Sequence, residues 1–144
     1  MKLIKKEIYS QLENSLLLHI ICKAVEDDEQ GRKEIIPENN FLQCSYLQLP
    51  YGKTFRPHKH IKKERHYKKQ IAQESWVVVK GKVKCIFYDI DDKIIHTDIL
   101  GPGDASFTLE GGHNYEILEH DTLVYEYKTG PYEGQKLDKV FLDV

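Results

Sequence analysis

The chain has no long hydrophobic run: its densest apolar stretches, such as Leu16-Leu17-Leu18 and Val77-Val78-Val79, fall far short of the roughly 20 residues that a membrane helix requires. Cysteine is scarce. Cys22, Cys44 and Cys85 are odd in number and form no Cys-x-x-Cys pair, which argues against both a disulfide framework and a zinc ribbon. Five prolines and nine glycines in 144 residues are too few for a collagenous or low-complexity chain. The opening residues Met1 to Glu7 lack the apolar segment and small-residue cleavage site of a secretory leader, so a cytoplasmic location is expected.

What is present suits one compact domain. The chain is 40% apolar and 31% charged, enough to bury a core but not to divide into two. The net charge of -2 hides an asymmetry, because Lys53 to Lys69 contains eight lysines and arginines against the single acid Glu64. That segment carries +7 and the remainder -9, a pattern that disfavours a general nucleic-acid binder and suits a small acidic or phosphorylated ligand.

From Phe41 onward, short β-favouring segments alternate with turns. Strands are expected over 41–49, 74–79, 82–89, 94–100, 106–109, 115–118 and 122–127, with turn chemistry at Pro50-Tyr51-Gly52, Gly81, Asp91-Asp92, Gly101-Pro102-Gly103-Asp104 and Gly111-Gly112. Residues 83–100 read as a hairpin. In the first forty residues Ile4, Ile8 and Leu12 fit helical spacing, whereas Leu16 to Cys22 has strand length; strands are favoured. Asp27 to Asn40 is polar and turn-rich, and is expected to be an exposed connection that orders only against the body of the protein. Many short strands at regular spacing indicate an all-β sandwich or barrel.

The chemistry concentrates in four residues. His58 and His60 are two apart, a spacing that in an extended segment points both imidazoles to one face. Glu74, with Trp76 and Val78, falls on one face of its strand by period-two alternation, so a carboxylate would project inward beside apolar walls and require a partner. With His113, these make three nitrogens and one oxygen, a donor set suited to Fe, Mn, Ni or Zn.

These residues resemble the cupin superfamily. The likeness lies in His58-Lys59-His60, Glu74 with Gly81 beyond it, and Gly103-Asp104 ahead of Gly112-His113, and it spans about Leu47 to Tyr127. It implies a single-domain, jelly-roll β-barrel over 41–144, with residues 1–40 packing on or completing it, and one divalent transition metal held by His58, His60, Glu74 and His113. Two features depart from the family pattern: thirteen residues, Ile61 to Gln73, separate His60 from Glu74, and no proline precedes His113. The interval also holds Glu64 and His66 as substitute ligands.

Val79-Lys80-Gly81-Lys82-Val83 and the stretch Glu126 to Tyr132 are similar to small cupins found beside polysaccharide and nucleotide-sugar enzymes. That similarity implies a carbohydrate-derived ligand, with Lys62, Lys63 and Arg65 neutralising a diphosphate or sugar acid. Trp76 and Tyr127 are candidate stacking surfaces for it. His66, whose basic neighbours favour the neutral ring, and Tyr115 are the candidate proton carriers. The expected activity is a metal-dependent isomerisation or epimerisation. The alternatives are a metal-free nucleotide-sugar 3,4-ketoisomerase with histidine as acid and base, and a non-catalytic sugar-binding module. A homodimer is expected, since exposed strand edges need covering. The cupin likeness predicts about one tightly bound transition metal ion per chain, lost in the His58→Ala/His60→Ala double variant, which elemental analysis of protein purified without added metal will check.

Overall fold

The structure, a computed structural model, describes residues 2–25, 30–62, 64 and 70–144. Ten strands carry almost all of its regular structure: β1 (Lys2–Tyr9), β2 (Leu17–Val25), β3 (Gly31–Glu34), β4 (Ser45–Gln48), β5 (Glu74–Lys80), β6 (Val83–Tyr88), β7 (Ile94–Leu100), β8 (Ala105–Thr108), β9 (Gly112–Ile117) and β10 (Leu123–Lys128). A single turn of helix, α1 (Gln135–Asp138), follows. No helix among the described residues is long and apolar enough to cross a membrane.

The strands form three antiparallel sheets, in the orders β1-β2-β8-β5-β10, β7-β6-β9 and β3-β4. The first forty residues thus enter the main sheet through β1 and β2. Ile4 and Ile8, which fit helical spacing, equally fit period two, and β1 adopts the latter. Among the described residues the sheets do not close into a barrel.

The centre of the five-stranded sheet is covered on both faces. Ile8, Ile21 and Val78 pack inward against Val83, Cys85, Phe87 and Leu100 of the three-stranded sheet. On the other face, Ile20, Cys22, Ala105 and Phe107 meet Ile35 and Ile36 beneath the β3-β4 pair. Coverage on both faces explains why Leu16 to Cys22 is apolar without alternation. Of the connection expected over 27–40, the described residues 30–40 are mostly exposed and order against the body through the same layer. Gly31–Glu34 pairs with β4, and Ile35 and Ile36 are buried, because two adjacent isoleucines within a charged stretch suffice to seat it on the outer face. Burial pushes the Cys22 and Cys85 thiols up to about 12.

Two buried polar residues fix how the sheets meet. The Asp89 carboxylate accepts hydrogen bonds from Ser10 Oγ (2.6 Å), the Gln11 amide (2.6 Å) and the Ile90 amide (2.8 Å), joining the β1-β2 connection to the β6-β7 turn. Burial would raise its pKa, but these donors more than offset that and hold the carboxyl below its ordinary value. His19 lies wholly inside, against Phe87 at 4.6 Å between ring centroids. Its Nε2–H donates to the Tyr88 carbonyl at 3.0 Å, so Nδ1 accepts from Thr108 Oγ1 at 3.1 Å. Gly111, at φ 80°, lets the chain pass that same carbonyl; a Cβ there would lie 2.6 Å from it.

Burial lowers the His19 pKa to about 4 from an ordinary 6.5. In the unfolded chain the ring binds its proton near the ordinary value, so this residue's contribution to stability is complete above it and is lost as pH falls toward about 4. Urea unfolding should therefore show about 3 kcal/mol of acid destabilisation across this window. The His19→Gln variant, weaker at neutral pH, should give a flatter profile there.

Candidate functional site

The registry of the main sheet sets a row of side chains across its inner face. Ile8 pairs with His19, His19 with Thr108, Thr108 with Glu74, and Glu74 with Lys128. Directly paired residues of antiparallel strands present side chains to the same face. In the facing sheet, His96, Phe87 and His113 form a second row through the pairs β6-β7 and β6-β9. The two rows meet at Glu74 and His113.

His113 Nε2 lies 3.1 Å from Glu74 Oε1. A carboxylate can only accept, so Nε2–H donates, and in the neutral ring Nδ1 is the acceptor. Both groups are largely but not fully covered, with 25% of the His113 side chain and 12% of that of Glu74 exposed. Burial pushes the Glu74 carboxyl up, but the hydrogen bond and electrostatic pull of His113, with the positive charges of Lys139 and Lys128, outweigh it and leave the carboxyl below its ordinary value.

Below this pair the inner space is aromatic. Trp76 and Tyr115 stack at 4.0 Å with planes 8° apart, and Tyr115 lies 5.4 Å from the His113 ring. The Tyr115 hydroxyl and Ser106 Oγ are 3.0 Å apart, and Trp76 Nε1 donates to Glu126 at 2.9 Å. Burial raises the Tyr115 phenol far above its ordinary pKa. It therefore keeps its proton and can donate a hydrogen bond, but cannot serve as a base near neutrality.

Among the described residues, His58 and His60 do not gather with this pair into one group. His58 and His60 stand beside one another, ring centroids 5.4 Å apart, on an exposed stretch where His58 Nδ1 contacts the Arg56 carbonyl at 3.2 Å. Lys62 is also exposed. Among the described residues no group of three or more His, Cys, Asp or Glu is gathered closely enough to hold a metal ion. The proposed ligands thus stand as two pairs. Tyr127 pairs with Ser75, which puts its ring on the outer face of the sheet, away from Glu74 and Trp76. Lys63, Arg65 and His66 lie outside the described residues.

Three supporting residues escaped the sequence reading. Gln73, buried beside Glu74, accepts from the Leu42 amide at 2.9 Å, and its Nε2 donates to Asn40 Oδ1 at 3.0 Å and to the Leu109 carbonyl at 3.3 Å. Lys128 is held by Asp138 at 2.9 Å and lies over the Tyr132 ring, bringing the segment after β10 back toward Glu74. Thr108 links Glu74 to His19. Strand registry places Lys128 and Thr108, and contacts with residues distant in the sequence place Gln73. A shallow cleft of about 380 Å³ lined by Lys23, Lys84, Thr97, Asp98 and Ile99 lies elsewhere, and none of the candidate site residues lines it.

No family model matches the chain, and neither a curated protein nor a solved structure matches it.

In the His113→Ala variant, Glu74 loses its hydrogen-bonding partner while remaining buried, so its pKa should rise. Carbon-detected NMR titration of the carboxyl in metal-free protein will check the direction.

Proposed function

We propose that the chain is a cupin-type isomerase or epimerase acting on a small carbohydrate-derived ligand, a sugar acid or nucleotide sugar, with the Glu74–His113 pair as proton carrier. The observation that supports this reading is the 3.1 Å contact between the two. Glu74 fixes the tautomer and orientation of the ring, and Nδ1 takes a proton from a carbon or hydroxyl of the ligand and returns it to a neighbouring position. Tyr115 and Trp76 form the apolar wall below, which limits water at the reacting atoms. The basic stretch holding Lys62, Lys63 and Arg65 neutralises a phosphate or carboxylate of the ligand. In this reading the facing sheets are the walls of an incompletely closed jelly roll.

The donor types of His58, His60, Glu74 and His113 fit a first-row divalent ion. Such an ion, when bound, polarises a carbonyl or hydroxyl oxygen of the ligand. The metal-free 3,4-ketoisomerase is the second reading, favoured by one feature: Glu74 and His113 already form an oriented acid–base pair without a third ligand.

Incubation with keto-sugar nucleotides and uronic acids in deuterated water should place solvent deuterium on the isomerised carbon. The rate should fall about 10²–10⁴-fold in His113→Ala, the usual contribution of a positioned acid–base group. Exchange that persists after chelation selects the metal-free form. Ligand binding without exchange for every candidate would show a non-catalytic module and overturn the proposal, as would turnover unchanged in His113→Ala.

A further inference from the structure

The chain beyond β10 doubles back over the rim of the sandwich. β10 ends at Lys128, the register partner of Glu74. The next residue is tied to the start of β5: the Thr129 amide donates to the Gln73 carbonyl at 3.0 Å, and Thr129 Oγ1 accepts from the Gln73 amide at 3.1 Å. From this post the segment makes the single turn of α1 and returns. Asp138 closes on Lys128 Nζ at 2.9 Å, with only 18% of the lysine and 17% of the aspartate side chain exposed. Lys139 follows, near enough to Glu74 for its positive charge to act on that carboxyl. Leu142, half-buried, ends against Gly112, where a Cβ would lie 2.7 Å from its Cδ1; the missing side chain of the glycine is its seat. The two anchors thus sit on the immediate neighbours of the pair, Lys128 beside Glu74 across the ladder and Gly112 beside His113 along the chain. Residues 139–141 bridge the distance between them, across the rim where Glu74 and His113 meet.

We propose that residues 132–144 are a strap that closes over the Glu74–His113 pair and releases it, gating access to the His113 ring. Its position follows from the two anchors. Its grip is light: none of the residues of α1 is buried, and Leu137, Val140, Phe141 and Val144 turn outward at 78%, 86%, 77% and 79% exposure. The hold therefore rests on the Asp138 carboxylate and the Leu142 side chain. A segment with so few buried apolar contacts opens locally at a cost well below that of unfolding the whole domain. The anchors are also separable from the pair they flank. Glu74 and His113 are placed by the ladders of β5 and β9, so release of the strap bares the ring without breaking the 3.1 Å contact between the two. As regulation of catalysis this inference rests on the isomerase reading of the pair; as a gate on the ring it does not.

Modification of histidine by diethyl pyrocarbonate, followed residue by residue by peptide mass spectrometry, reads the ring directly and needs no substrate. In the wild-type chain His113 should react more slowly than the exposed His58 and His60, which serve as internal standards. Leu142→Ser and Asp138→Ala should each speed the reaction of His113 by about threefold or more while the far-ultraviolet circular dichroism and the two standards stay unchanged. Phe141→Ser, whose side chain points outward, should leave the rate as it is. A wild-type His113 that reacts as fast as the standards would overturn the strap, as would an unchanged rate in either anchor variant. Should those variants unfold, nuclear Overhauser contacts between the Leu142 methyls and the Gly112 α-protons of the wild-type chain decide, and their absence in the folded protein also overturns it. Failure to isomerise any candidate sugar, with the modification rates as expected, removes the catalytic reading alone and supports the gate.

Discussion

The alignment of four antiparallel strand pairs at one height of the main sheet is the constraint on which the rest of the molecule depends. Ile8, His19, Thr108, Glu74 and Lys128 come from five strands spread over most of the chain, and only their pairing puts them in a row. A one-residue slip between β5 and β8 would turn Glu74 to the outer face and bring Ser75 inward. The carboxylate would then lose His113. The packing of the inner face resists such a slip, since it would take Trp76 and Val78 out of the core that they form with the facing sheet.

The same row explains a division of labour between two histidines. His19 and His113 face the same interior near Phe87, but they meet opposite fates. His19 is closed off, with both ring nitrogens engaged and its charge suppressed by burial. His113 lies at the rim, partly exposed, with one nitrogen held by a carboxylate. Thus one imidazole serves as a spacer between sheets, and the other has a single ring nitrogen held at the rim. The aromatic stack of Trp76 on Tyr115 separates the rim from the deeper aliphatic core.

Much of this was legible in the sequence. Alternation in Glu74, Trp76 and Val78 gave the face of β5, the run Val83 to Leu100 gave its hairpin, and the turn glycines marked the breaks. Glu74 and His113 were both singled out in the sequence, and the structure brings them together. The placement of His58 and His60 on an exposed stretch was not legible, because the thirteen residues before Glu74 carry no periodic signal that fixes their path. The face that Tyr127 takes was not legible either, because its pairing with Ser75 joins strands that lie far apart in the sequence. Ile35 and Ile36 were masked by their charged neighbours, and the polar network of Gln73 depends on partners 31 to 36 residues distant.

The clamp at Gln73 bears on how such a molecule could diversify. The long interval between β4 and β5 begins at a sheet end and finishes at a residue tied to Leu42, Asn40 and Leu109. Length changes within it end at a fixed post and do not propagate into the sheets. Doubling a flexible loop adds only about 0.6 kcal/mol of closure entropy. This interval is therefore a natural reservoir for evolutionary variation, free to be lengthened, shortened or recharged while the rim carboxylate and imidazole stay where the ladder puts them.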